Sequence, residues 1–345
     1  MLNALNRPDS DPTPIFELFR GAHATELLTA AVAHFDIFGK LNASPQTFDS
    51  LRKELGLEER PAVVLFTALK AMKLIEQVED VMQLTPIASE HLVPGNYFDC
   101  GNYVGLAAQS PGVLAMVEML KTNQPMQVGD DGVAFIFRDG IRSAMDASQH
   151  AEHFTRALAG RAKNVAASFA AAAETENAKT LLDVGGGTGI YSYALLQKQP
   201  ELRATIFDHP QVLKIAEQTA KEYGVGERCS FVAGDMFKDK LPQSDVILLS
   251  NILHDWDVPQ CEEIVKSCAA ALPSGGRLLI HDVFLDDSLD GPLPIALYSA
   301  SLFSFTEGRA YSGAEYRKML TESGLVPQPI IPTLVHCGVL CGFKN

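Results

Sequence analysis

The residues that could do chemistry begin at Leu181-Leu182-Asp183-Val184-Gly185-Gly186-Gly187-Thr188-Gly189, where an apolar strand meets a carboxylate and turns through glycines into a helix expected from near Thr188. Without Cβ atoms the loop backbone can approach a ligand closely. A dinucleotide fingerprint would need G-x-G-x-x-G, with its third glycine packing helix on strand. Counted from Gly185, that third position is Ile190, and the extra glycine falls one residue early. Asp183 at the strand end would also repel a pyrophosphate. It suits a cation, and S-adenosylmethionine carries a sulfonium and an ammonium with no phosphate. Further on, Ala204-Thr205-Ile206-Phe207 ends at Asp208, about twenty residues past the glycines, where an acid accepts hydrogen bonds from a ribose diol. The strand Ser230-Phe231-Val232 then leads to Gly234-Asp235-Met236-Phe237. That offers a carboxylate for an exocyclic amine and two apolar side chains to sandwich an adenine. Acids at three successive strand ends make Asp183, Gly185, Gly187, Asp208, Asp235, Met236 and Phe237 the candidate cofactor-binding residues.

Those strand ends need a scaffold of alternating strands and helices, and the second half of the chain reads that way. A helix after Asp208 opens with Pro210 in its first turn. Ser244–Ser250 and Gly276–His281 are buried strands on either side of a helix from about Pro259 to Ala271, and Thr333–Leu340 reads as an edge strand. The first half differs. Phe16, Phe19, Leu27, Leu28, Val32 and Phe35 recur at helical intervals between Pro14 and about Phe38. Two shorter helices follow, near Phe48–Leu55 and Arg60–Met72, and then Leu74–Val78 and Val81–Thr85 alternate around a turn at Glu79-Asp80. Helix, helix and hairpin outline a winged helix. Its candidate recognition helix carries Arg60, Lys70 and Lys73 but is mainly apolar, a face suited to packing against protein. Helices are also expected from about Phe98 to Leu120 and from Gly140 to Ala173, joined by a loop around Pro125–Gly129.

Whole-chain composition narrows the classes. A chain of 345 residues is ample for two domains and a buried core. With 42 acidic against 28 basic residues, the formal net charge of −14 argues against nucleic acid as a main partner. No apolar run approaches the length needed to cross a bilayer, so no membrane partner is expected. The start, Met1–Arg7, lacks the pattern of a signal peptide. Six cysteines form no C-x-x-C pair and mostly sit in apolar segments, which reads as reduced thiols in a cytoplasmic protein. Cys337 and Cys341 beside His336 read as strand packing, and no metal site is expected.

Taken together, the chain resembles the SAM-dependent O-methyltransferases of the plant phenolic, hydroxyindole and bacterial polyketide-tailoring type. The resemblance rests on Leu182–Gly189, Asp208, Gly234–Phe237 and, most specific to this branch, Asn251-Ile252-Leu253-His254-Asp255-Trp256. It implies an α/β fold: a C-terminal Rossmann-like class I methyltransferase domain (174–345), linking and substrate-pocket helices (99–173), and an N-terminal α-helical winged-helix dimerisation domain (1–98). It also implies a homodimer, S-adenosylmethionine as cofactor with S-adenosylhomocysteine as product, and a small-molecule acceptor. Ser250 and Trp256 join the cofactor residues on that basis. A phenol with pKa near 10 is a weak nucleophile until its proton leaves, and histidine titrates close enough to neutral to take it. His254, beyond a strand at the sheet's carboxyl edge, is the candidate general base, acting without a metal.

A catalytic histidine usually has an acid that fixes its tautomer. Plant-type members use two, and Asp282 fits the first position. At the second, this chain reads Gly308-Arg309-Ala310-Tyr311-Ser312, with Ala310 in place of a glutamate and Tyr311 or Glu307 as substitutes. Phe154, Leu158, Tyr298, Ser301 and Leu302 are the candidate substrate residues. Ala310 keeps open a second reading, a non-methylating relative that uses the cofactor for hydroxylation, decarboxylation or pericyclic chemistry. The intact His254 and Asp282 count against it. A SAM-sensing winged-helix regulator is the third, opposed by the acidic balance.

Overall fold

The computed structural model describes residues 1–125 and 148–345, the side chains of 148–154 excepted. In chain order the first elements are α1 (Thr13–Arg20), α2 (Ala24–Thr29), α3 (Ile37–Ala43), β1 (Gln46–Thr47), α4 (Phe48–Glu54) and α5 (Glu59–Ala71). The hairpin β2 (Ile75–Val78) and β3 (Val81–Leu84) follows, then α6 (Pro86–His91), α7 (Gly101–Val104) and α8 (Pro111–Thr122). After α9 (Ser148–Ala172) come β4 (Thr180–Val184), α10 (Ile190–Lys198), β5 (Arg203–Asp208), α11 (Pro210–Glu222), β6 (Cys229–Ala233), β7 (Val246–Ser250), α12 (Val258–Ala271) and β8 (Arg277–Leu285). The chain continues with α13 (Leu293–Phe305), β9 (Tyr311–Ser312), α14 (Gly313–Glu322), β10 (Val326–Pro327), β11 (Ile331–Pro332) and β12 (Cys337–Phe343). Two compact units result, and neither is one continuous stretch. One comprises Met1–Phe16, Phe135–Phe284 and Gly313–Asn345; the other comprises Glu17–Ala134 and Leu285–Ser312.

The second of these units has its own apolar core, in which Leu27, Phe38, Leu65, Phe66, Met116 and Phe303 are buried. Its small sheet runs β1-β3-β2, antiparallel throughout. Helix α5 is buried on nearly every side, Arg60 and Lys70 included, and α13 packs on it. Arg60 donates to Asn123 Oδ1 and to the carbonyls of Thr306 and Gly308, while Lys70 donates to the Ser288 carbonyl. The helix that would enter a DNA groove in a winged-helix regulator thus points its cations inward.

The single helix expected from Pro14 to Phe38 is broken. A 3₁₀ turn at Gly21–His23 separates α1 from α2, a π turn spans Ala30–His34, and Asp36 takes a left-handed φ of 48° before α3. Beyond the first break Leu27, Ala30, Ala31 and Phe35 are buried, whereas Phe19, on the expected apolar face, is 75% exposed. The helix expected from Phe98 to Leu120 also divides, because α8 starts afresh with Pro111 in its first turn.

The other unit is built on a sheet in the order β10-β12-β8-β7-β4-β5-β6. The run β8-β7-β4-β5-β6 is parallel, and β12 returns antiparallel along β8. Strands β4, β7 and β8 are near-continuous apolar runs, as parallel strands covered on both faces require. The edge strand expected at Thr333–Leu340 starts later and is not at the edge. Val335 and His336 are both left-handed (φ 53° and 60°), so pairing begins at Cys337, and β10 and β11 lie outside it. Strand order reverses between β4 and β7, and the crevice at the carboxyl ends beside such a reversal is where ligands bind in open α/β sheets.

Candidate active site

Backbone register brings the chemistry to that edge. Val184 pairs with Phe207, Asp208 with Ala233 and Ser250 with His281, so the ends of β4, β5, β6 and β7 share one edge. The glycine loop leaves β4 with φ of +66°, +57° and +76° at Gly185, Gly187 and Gly189, a conformation L side chains resist. A Cβ at Gly187 would stand in open space, and one at Gly185 would strike Ile252 and lie 3.7 Å from Met236 Cε.

Asp183 lies beneath this loop. It is 2% exposed, accepts a 2.6 Å hydrogen bond from Ser192 Oγ, and occupies the space a Cβ at Gly186 would need. Its other oxygen has no partner among the described residues, and burial pushes its pKa up to about 7. Asp208 accepts from Gly187 N–H at 2.9 Å and His209 N–H at 2.7 Å, one to each oxygen. Burial raises its pKa as well. Asp235 accepts from Phe237 N–H at 2.9 Å and pairs with Lys238 at 2.9 Å. Although burial opposes ionisation there, those partners hold its carboxyl below the usual range. The rings of Phe237 and Trp256 meet edge-to-face at 4.7 Å. Ser250 stands at the end of β7, its hydroxyl engaged with His281 Nδ1 at 2.8 Å and Asn251 Nδ2 at 3.0 Å.

Beyond β7 the chain turns sharply. Asn251 is left-handed (φ 58°) and donates its N–H to the His281 carbonyl, and Leu253–Asp255 form one 3₁₀ turn. Cys261 on α12 donates its thiol to the carbonyls of Leu253 and Trp256, fixing that turn from behind. His254 is thereby buried, with Nδ1 at 2.6 Å from Asp282 Oδ1. A carboxylate only accepts, so in the neutral ring Nδ1 carries the proton and Nε2 does not. Asp255 Oδ1 lies 3.7 Å from that Nε2. Burial presses the His254 pKa down, but Asp282 and Asp255 outweigh it and hold the value above the ordinary histidine range. Asp282, despite the opposing pull of burial, is held below the usual carboxylate range by His254 and the Val283 N–H. Burial pushes Asp255 up to about 6, and Arg161 on α9 adds a positive potential felt by all three groups.

Four participants in this network escaped sequence reasoning: Asp255, Arg161, Tyr316 and His281. Asp255 had a signal in its adjacency to His254. Tyr316 Oη on α14 donates to Asp282 Oδ2 at 3.2 Å and had none. His281 packs against Phe169 and Tyr191, and burial lowers its pKa to about 3, so it is a neutral support for the β7 turn.

The candidate substrate residues fall in different places. Phe154 belongs to α9, but its side chain lies outside the described residues; Leu158 on the same helix is exposed. Tyr298, Ser301 and Leu302 are on α13 in the other unit, where Arg20 lies over the Tyr298 ring at 4.9 Å, the Ser301 carbonyl accepts from Ser304 Oγ and Leu302 is buried. Ala310, in that unit too, is fully buried and donates its N–H to Ser299 Oγ; Arg309 lies over the Tyr311 ring at 4.2 Å.

Residues 132–326 match the family model of an O-methyltransferase domain. A 3-hydroxy-5-methyl-1-naphthoate 3-O-methyltransferase from Streptomyces sahachiroi is 36% identical over 318 residues, covering 91% of this chain and 89% of that protein. The chain belongs to the O-methyltransferase family. The crystal structure of an O-methyltransferase family 2 protein from Planctomyces limnophilus DSM 3776, in complex with apigenin, is 46% identical with a TM-score of 0.89 and covers 100% of this chain and 99% of its own. Human N-acetylserotonin methyltransferase in complex with SAM shares the fold at 20% identity and a TM-score of 0.61, over 98% of this chain and 99% of its own. The protein is an O-methyltransferase with the class I fold, and S-adenosylmethionine is its cofactor. The site's chemistry fits that cofactor. The loop is open at Gly187, the Asp208 oxygens each keep a lone pair beyond one backbone donor, and Phe237 and Trp256 offer apolar surface.

Proposed function

We propose that this O-methyltransferase methylates a phenolic or similar hydroxyl of a small aromatic molecule, with His254 as general base and Asp282 as the group that orients it. The observation carrying the proposal is the 2.6 Å bond from His254 Nδ1 to a buried carboxylate. It supports Nε2 as the proton acceptor, since it puts the ring proton on Nδ1. The naphthoate relative, by its name, transfers to a ring hydroxyl, and the neighbour from Planctomyces limnophilus was crystallised with apigenin. Both support an aromatic acceptor.

When bound, the cofactor supplies an electrophilic methyl group on a positively charged sulfur. Asp208 would hold the ribose hydroxyls, Met236, Phe237 and Trp256 would enclose the adenine, and the loop at Gly185–Gly189 would receive the amino-acid end. Asp183 would act from beneath that loop, with Ser250 fixing the turn that carries His254. Asp235 would meet the adenine amine from beside Lys238. His254 Nε2 takes the hydroxyl proton as the oxygen attacks, and the imidazolium that forms is stabilised by Asp282. The base is a side chain, so this route needs no metal. Leu158, Tyr298, Ser301 and Leu302, with Phe154, remain the acceptor-contacting candidates.

Two copies of the chain would pair through the N-terminal region, where Leu18, Phe19, Tyr103 and Leu106 are each at least three-quarters exposed. Large apolar side chains left in water mark an interface. The test of the catalytic reading is His254→Gln. Methyl transfer to an authentic acceptor should fall by about two to four powers of ten, with S-adenosylhomocysteine affinity unchanged by calorimetry. An unaltered rate from mildly acidic to mildly alkaline pH would remove His254 from the mechanism.

A further inference from the structure

Asp282 has two oxygens with unequal duties. Oδ1 accepts from His254 Nδ1 at 2.6 Å and from its neighbour's N–H, Val283, at 2.8 Å. Oδ2 accepts from Tyr316 Oη at 3.2 Å. Both side chains are buried, Asp282 at 1% and Tyr316 at 0% exposure, so water cannot replace the phenol as donor. The Tyr316 ring is itself fixed, meeting Phe284 edge-to-face at 5.5 Å. Phe284 lies on β8 two residues past Asp282, so one strand supplies both the carboxylate and the ring against which its donor packs.

We infer that Tyr316 is a positioning residue for methyl transfer: its phenol clamps Asp282 Oδ2 so that Oδ1 stays in line with His254 Nδ1. A carboxylate with one satisfied oxygen can rotate about its Cβ–Cγ bond, and rotation would carry Oδ1 away from its 2.6 Å contact with the imidazole. A donor on the far oxygen removes that freedom. It also withdraws charge, which keeps the carboxylate from binding the imidazole proton too tightly. At 3.2 Å the bond is long for a hydroxyl donor, so its weight is geometric more than electrostatic. This inference rests on the reading of His254 as the base, and its test separates the two.

Tyr316→Phe deletes one oxygen and leaves the ring against Phe284. The variant should lose roughly three- to tenfold in kcat, the kinetic equivalent of one ordinary hydrogen bond, as suits a contact of 3.2 Å. KM for S-adenosylmethionine and affinity for S-adenosylhomocysteine should not change. Losing the clamp loosens the Asp282–His254 bond that favours the imidazolium, so the His254 titration, followed by ¹⁵N NMR of the full-length protein with S-adenosylhomocysteine bound, should move to lower pH. The acid limb of the rate profile should move with it. In an Asp282→Asn background, Tyr316→Phe should leave that titration where it is, because the phenol acts through the carboxylate. A His254 titration identical in the parent and Tyr316→Phe overturns the inference, as does an equal shift in the Asp282→Asn background. If the NMR titration moves while the rate profile does not, the clamp stands and the assignment of His254 as base falls.

Discussion

Asp282→Asn isolates what the carboxylate does for His254. The parent imidazole has two opposing influences: burial, which favours the neutral ring, and the adjacent carboxylates, which favour the imidazolium and prevail. A base must be neutral to act, so the raised pKa means that the parent's kcat/KM rises with pH through a limb above the ordinary histidine value near 6.5. Asparagine is close in shape and keeps an oxygen for Nδ1–H, but it removes the charge 2.6 Å away. A hydrogen bond to a charged group is worth about 1.5–3 kcal/mol. At about 1.4 kcal/mol per pH unit, the limb should move down by about one to two units. At the plateau the rate should also fall, though by less than in His254→Gln, because the amide orients the ring less firmly and leaves a weaker base. The assay is kcat/KM against pH with an authentic acceptor whose own titration is known. A limb that stays in place in Asp282→Asn would show that His254 is not the titrating base. A limb that follows the acceptor's phenol in both proteins would show that proximity alone suffices.

Other outcomes follow from the same geometry. Asp208→Ala should weaken S-adenosylhomocysteine binding by a few kcal/mol at most, on the order of one buried charged hydrogen bond; calorimetry with unchanged affinity would exclude the ribose contact. For Asp183, the folded-state pKa of about 7 lies above the ordinary aspartate value of 3.8, so the parent loses stability as pH rises between those values. Asp183→Asn, which still accepts from Ser192, should therefore gain in melting temperature relative to the parent across that window, and a constant difference would contradict the assignment. Light scattering at micromolar concentration should report a dimer, converted to monomer by Leu18→Asp with Phe19→Asp; a monomeric parent would refute the pairing.

What could be read in the sequence was whatever backbone spacing fixes. Glycines with positive φ and an acid at a strand end are chemical types with few uses, and successive parallel strands deliver them to one edge whatever the side-chain detail. Asp183, Gly185, Gly187, Asp208 and His254 were legible for that reason. Side-chain partnership was not. Ser250 reads as a cofactor contact, yet its hydroxyl is taken by His281, a residue whose surroundings in sequence say nothing of that bond. Tyr316 is one aromatic on an amphipathic helix, indistinguishable by periodicity from core packing, and only the fold of α14 against β8 brings it to Asp282. The broken α1–α3 region was hidden in another way. The apolar spacing runs on through the 3₁₀ and π turns without marking them, and only the fold shows that Phe19, on that pattern, ends up exposed.

The proposed proton transfer would leave a charge that the residues around His254 have to meet. Protonating Nε2 would create a buried imidazolium, and a buried cation needs compensating charge. Asp282 meets it on the Nδ1 side and Asp255, 3.7 Å from Nε2, on the other. Asp255 is itself pushed up to about 6, chiefly by burial, with Asp282 adding to it. Arg161 lowers the His254 pKa against the pull of these acids and favours the ionised form of both carboxylates. On the proposed mechanism, Asp282 and Asp255 would supply the compensating charge, opposed by Arg161 and with the Tyr316 phenol on Asp282 Oδ2, all from residues of the same unit as His254.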